Sequence, residues 1–194
     1  MTKNVDSLKI THKRDHASRE DLAQEHPLGD SGQIVALIIF LIIWSLDSFV
    51  FRFSTQLASY VPLYIRLILA ALFFILAGYL ARSGHAVVFK EFRDPPRVIN
   101  SGVFSYMRHP LYCSVLLFYL GFVLTTLSLF SLALLVCIFL FYDHIAAFEE
   151  KQLEEKFGEA YKDYMEKTPK WIPLGRGEDK WRQYTKDITK LKSG

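Results

Sequence analysis

The chain has 194 residues, half of them hydrophobic, with 23 basic and 20 acidic side chains and a formal net charge of +3. That length suits a single domain, and the near balance of charge argues against nucleic acid as the partner, because the basic residues flank apolar runs instead of forming a stripe on a soluble fold. The two cysteines, Cys113 and Cys137, lie inside apolar runs, so they build neither a disulfide framework nor a zinc site and read as small packing residues.

Residues 1–31 are polar and mixed in charge, a tail or surface segment with no cleavable signal. From Ile34 to about Phe51 the run is long enough to span a bilayer, which needs about 20 mainly apolar residues. Asp47 interrupts it near one end, where an ionisable side chain is expected to reach an interface or pair with Arg52 or Arg66. A second span runs from about Val61 to Ala81, with Pro62 suiting a helix start and Gly78 permitting close packing. Arg82 to Met107 reads as a polar segment broken by Gly84, Pro95, Pro96 and Gly102, unless a fifth membrane helix lies within it.

The third run, Leu111 to about Thr125, and the fourth, about Leu127 to Tyr142, are joined by so short a link that they must form an antiparallel hairpin. Counts of lysine and arginine test the four-span reading: five before the first span, one after it, five between the second and third, none at the hairpin turn and eleven in residues 151–194. High and low alternate, which puts both termini and the middle connection in the cytoplasm. The predicted fold is therefore an all-α integral membrane protein of four helices, or five, with a C-terminal helical cap on the cytosolic side. The divisions are a polar segment 1–31 and one domain 32–194, made of spans and loop 32–108, hairpin 109–150 and amphipathic helices 151–194. In the last part, Leu153, Phe157, Tyr161 and Tyr164 mark one face of a helix closed by Pro169 and Pro173, with Trp171 an interface anchor. Trp181, Tyr184, Ile188 and Leu191 stripe a further basic helix suited to a membrane surface.

Arg108-His109-Pro110-Leu111-Tyr112 stands where the polar loop becomes the third run. Pro110 suits the first position of a helix and holds His109 just outside it as the cap, and the end of such a helix attracts carboxylates and phosphates. The hairpin then dictates what stands beside it. About 16 residues out and 16 back, at 1.5 Å each, return the chain to Tyr142–Phe148, so Glu149 and Glu150 reach the same corner, as does the loop from Val98 to Phe104. A positive helix end and two carboxylates suit a zwitterion: His109 and the helix end for its carboxylate, Glu149 or Glu150 for its ammonium. Phe104, Tyr106 and Tyr112 offer faces to a ring or cation. S-adenosylmethionine has each of these parts. Glu150 shares a stripe with Leu153 and Phe157, so it points inward and requires Arg108 or a ligand cation as partner.

At these residues the sequence resembles the integral-membrane methyltransferases of the isoprenylcysteine carboxyl methyltransferase family and their relatives, the phospholipid methyltransferases. The likeness rests on Ser101 to Tyr112, then Glu149-Glu150, Leu153, Phe157-Gly158, Tyr161 and Tyr164, and covers roughly residues 95–173. It implies methyl transfer from S-adenosylmethionine, leaving S-adenosylhomocysteine, to an amphiphile reached from the bilayer. His109, Pro110, Leu111, Tyr112 and Glu149 would hold the cofactor, with Val98, Ile99 and Phe104 on the loop side, and no metal is needed. The foremost expected reaction is O-methylation of a prenylcysteine-like carboxylate. N-methylation of a phospholipid or other lipid amine is the alternative, and a small membrane scaffold is the non-enzymatic rival. The eukaryotic prenylcysteine enzymes carry an arginine four residues before the first matching glutamate, where this chain has Ile145. That leaves Arg108 and His144, with Glu150, as the expected catalytic groups, and makes simple prenylcysteine analogues poor substrates. Expected partners are membrane lipids and a lipid-like or prenylated substrate, taken up by a monomer.

Overall fold

The computed structural model describes residues 29–90 and 96–172. Among the described residues five α-helices carry the fold: α1 (Gly29–Ser45), α2 (Leu63–Lys90), α3 (Pro110–Thr126), α4 (Leu129–Phe157) and α5 (Glu159–Lys167). Three described helices are long and apolar enough to cross a membrane, and α3 is a shorter apolar fourth. The chain is an all-α integral membrane protein. Its outer faces fit that solvent: Ile38, Ile42, Ile68, Leu72 and Ile75 are all exposed on α1 and α2, where lipid rather than water meets them.

The core lies where α1, α3 and α4 meet. Phe40 packs on Tyr119 at 4.6 Å between ring centres, within a buried cluster that includes Val123, Ile138 and Tyr142. A second cluster, Leu80, Val103 and Met107, with Cys113 partly buried against it, joins α2 to the loop before α3. Helices α2 and α3 approach closely because of two glycines. A Cβ on Gly121 would stand 2.6 Å from the Phe74 ring, and one on Gly84 would stand 2.7 Å from Leu111.

Several sequence expectations are corrected here. Gly84 is no breaker: α2 runs through it to Lys90, since the missing side chain is what lets Leu111 pack. Gly78 is not the packing glycine, having nothing within 4 Å of its Cβ position. Cys137 faces outward, exposed. Residues 96–101 form no helix, so the described part of that connection holds no fifth span. Pro173 and the predicted helix around Trp181 lie outside the described residues.

The Asp47 side chain pairs with serines and not with Arg52 or Arg66. It is 4 % exposed in a π-helical turn, Leu46–Phe51, that follows α1. Its carboxylate accepts hydrogen bonds from Ser54 Oγ at 2.5 Å, the Ser54 amide at 3.1 Å and Ser128 Oγ at 2.6 Å. The same serines satisfy the opening amides of α4: Leu129 N–H donates to the Ser54 carbonyl, Phe130 N–H to Ser54 Oγ and Ser131 N–H to Ser128 Oγ. A carboxylate near a helix start is favourable, which makes hydroxyls sufficient partners here. Arg66 instead donates to the Thr125 carbonyl at 2.8 Å, at the negative end of α3.

The close approach at Gly121 is testable. Both Gly121→Ala and Gly78→Ala gain the same intrinsic helix preference, so their difference reads the contact alone. Gly121→Ala is expected to be less stable than Gly78→Ala by about 1–3 kcal/mol, from overpacking against Phe74. Equal unfolding midpoints in detergent would contradict the packing.

Candidate functional site

The start of α3 is built as its sequence demands. Pro110 opens the helix and His109 caps it in a non-helical conformation. The His109 carbonyl accepts the Cys113 amide at 3.0 Å. Helix α4, 29 residues long, extends about 43 Å at 1.5 Å per residue, beyond a hydrocarbon layer of about 30 Å. Its last turns therefore project past the apolar slab beside the start of α3. Gly158, at φ +55, ends α4, so Leu153 and Phe157 lie on α4 while Tyr161 and Tyr164 lie on α5. The single helix predicted for those four residues is two helices with a glycine bend, because that φ is one side chains rarely adopt.

The bend folds α5 back onto the α3 start. The segment after it, Thr168 to Trp171, then runs across that start as a strap. Arg108 N–H donates to the Pro169 carbonyl at 2.9 Å and His109 N–H to the Lys170 carbonyl at 3.3 Å. Lys170 Nζ lies 2.6 Å from Asp143 Oδ1, which also accepts from Trp171 Nε1 at 3.0 Å. The Trp171 ring packs on His109 and Phe139, at 5.8 and 5.4 Å. Trp171, expected at the membrane interface as an anchor, thus packs against the site.

The two glutamates divide. Glu150 turns inward to Arg108, as its stripe requires: Arg108 Nε and His109 Nε2 each lie 2.9 Å from Glu150 Oε1. Arg108 Nη1 also donates to the Met165 and Thr168 carbonyls, at 3.0 and 3.2 Å. Glu149 instead faces a cavity of about 290 Å³, close to the ~300 Å³ lower end of small-molecule sites. Its carboxylate accepts a hydrogen bond from the Tyr112 hydroxyl, and His109 Nδ1 lies 3.9 Å from its other oxygen.

Of the residues named from sequence, Val98, Ile99, Phe104, Arg108, His109, Pro110, Leu111, Tyr112 and Glu149 all line this one cavity. Three do not: Glu150 lies behind the wall, Tyr106 is 48 % exposed, and His144 is exposed on α4. Ile145, one turn before Glu149 and expected on the same corner, is fully buried and off the wall. The cavity also takes in Val88, Leu153, Phe157, Tyr161 and Tyr164. Val88 was missed because α2 was ended too early. The other four were in view as a helical stripe, of which the Gly158 bend brings the later two, Tyr161 and Tyr164, onto the cavity beside Leu153 and Phe157. Tyr164 Oη donates to the Phe104 carbonyl at 2.6 Å, locking α5 to the loop, and burial pushes its phenol above the usual tyrosine value.

The site is thus an apolar and aromatic cavity with one carboxylate on its wall, a helix start beside it and a guanidinium occupied by protein acceptors. The phospholipid methyltransferase family model matches residues 62–160, a stretch that runs from the start of α2 into α5. No curated protein matches the chain.

Proposed function

The chain belongs to the phospholipid methyltransferase family, and from that premise we propose that it transfers the methyl group of S-adenosylmethionine to the head group of a lipid-like amphiphile. At the coarser level it is a membrane methyltransferase. The observation that carries the proposal is Glu149, a carboxylate on the wall of an otherwise apolar cavity beside the first turn of α3. The chemistry of the wall fits the cofactor: Glu149 for the ammonium, the α3 start for the carboxylate, and Phe104, Tyr112 and Phe157 for the adenine and sulfonium. When bound, S-adenosylmethionine supplies a methyl group on a sulfonium, open to in-line displacement.

The protein's own part is positioning and the exclusion of water. Tyr112 orients Glu149, and Glu150 holds His109 and Arg108 in place behind it. Val88, Val98, Ile99, Leu111 and Leu153 keep the cavity dry. A lipid amine is the acceptor this wall favours. Arg108 lines the cavity but already gives Nε and Nη1 to a carboxylate and two carbonyls, and Ile145 is packed away, so a substrate carboxylate would find no arginine at 145 and at 108 only one engaged within the protein. An amine must lose a proton to react. With Nε2–H given to Glu150, His109 would carry a lone pair on Nδ1, and as a lining residue it is better placed as the base than His144, which is exposed on α4. The alternation of positive charge supports a site on the cytosolic side of the membrane, with both termini there.

The test is methyl transfer by detergent-purified protein against two panels, aminolipids and prenylated cysteines. Aminolipids are expected to turn over, and simple prenylcysteine analogues to bind through their tails with little turnover. Efficient methylation of a prenylcysteine would overturn the amine preference. Failure to bind S-adenosylhomocysteine would overturn the methyltransferase reading itself and favour the scaffold.

A further inference from the structure

Tyr161 and Tyr164 stand three residues apart on α5, and both line the cavity. Their hydroxyls are treated differently. Tyr164 Oη gives its proton to the Phe104 carbonyl. Tyr161 is 2 % exposed, yet its hydroxyl has no hydrogen-bond partner among the described residues. Among the described residues the sealed polar side-chain atoms without a partner are Arg66 Nε and Thr168 Oγ1, so the Tyr161 hydroxyl is not sealed off and stays open to the cavity that its ring lines. The protein supplies an acceptor for the neighbouring phenol, the Phe104 carbonyl, and leaves the Tyr161 hydroxyl to whatever fills the cavity.

We propose that the Tyr161 hydroxyl is a ligand-binding group, donating a hydrogen bond to an anionic oxygen of the molecule that fills the cavity. This rests on the methyltransferase reading and extends it. Burial and then the Glu150 carboxylate push the phenol above its ordinary value, so at neutral pH it keeps its proton and acts as a donor. Glu149 on the same wall accepts only, so between them the two side chains match a head that carries both a positive and a negative end. The anionic oxygen belongs either to the amino-acid carboxylate of the cofactor or to a lipid head-group phosphate. The same donor serves both.

Tyr161→Phe removes one oxygen and keeps the ring, so packing against Tyr164 at 5.8 Å survives. The experiment compares the variant and the unaltered protein in detergent for S-adenosylhomocysteine affinity, for affinity toward the decarboxylated form of that ligand, and for KM of an aminolipid. Expected is a loss of roughly tenfold or more for the carboxylate-bearing ligand. The decarboxylated ligand should lose nothing, and the ligand-free unfolding midpoint should stay the same. A loss confined to the aminolipid KM assigns the donor to the head-group phosphate and still supports the proposal. Unchanged affinity and KM in a variant that binds and turns over like the unaltered protein would overturn it. No binding by the unaltered protein would bring down the methyltransferase reading, and this proposal with it.

Discussion

Replacing Arg108 by alanine lowers the stability of the detergent-solubilised protein by about 3–5 kcal/mol, the loss associated with breaking a buried ion pair from one side. Arg108 and Glu150 are 13 % and 14 % exposed. Removing the guanidinium strands the carboxylate with His109 alone and frees the Met165 and Thr168 carbonyls. One side chain thus links the α3 start to α4, α5 and the strap. Lysine at 108 recovers only part of the loss, since an ammonium lacks the flat fork that reaches a carboxylate and two carbonyls at once. The unfolding midpoint decides the residue's role. A normal midpoint with turnover abolished would make Arg108 a group that acts on substrate and not the tie described here.

Glu149→Ala weakens S-adenosylhomocysteine binding by about 1.5–3 kcal/mol, the range for a hydrogen bond to a charged group. The cavity offers no second carboxylate among its lining residues to take over. Glu154 and Glu155, on the same helix and 43 % and 69 % exposed, serve as controls. Alanine at either is expected to leave titrations unchanged. Equal losses at 149, 154 and 155 would mean that the helix as a whole, and not a site, had been damaged.

The site was legible in the sequence to the extent that it depends on hairpin arithmetic. Pro110 marks where α3 begins, the short turn makes α4 return, and the rise per residue brings Glu149 and Glu150 back to His109. Those are local signals with fixed geometry. The inward turn of Glu150 was legible for the same reason, from its place in the stripe of Leu153 and Phe157. What could not be read depended on partners far along the chain. Asp47 is satisfied by Ser54 together with Ser128, eighty-one residues away, and nothing near Asp47 announces that second partner. Gly84 looks like a breaker until Leu111 is seen against it. Gly158 sits in a pattern of perfect helical spacing, and only its positive φ reveals that Tyr161 and Tyr164 belong to another helix. His144 and Tyr106 have suitable chemistry, but their side chains leave the corner on the wrong face of their own segments.

The strap has a consequence in time. Arg108 and the Thr168 carbonyl that it holds are sixty residues apart in the chain, which is roughly 3–12 s of synthesis at about 5–20 residues per second. For that interval a nascent chain can already have α1, α2 and α3 in the bilayer while the wall around His109 still lacks α5 and Trp171. A chain part-way through insertion therefore carries Arg108 to Tyr112 without a closed site around them. The wall closes with α5 and Trp171, well after the membrane helices that surround it.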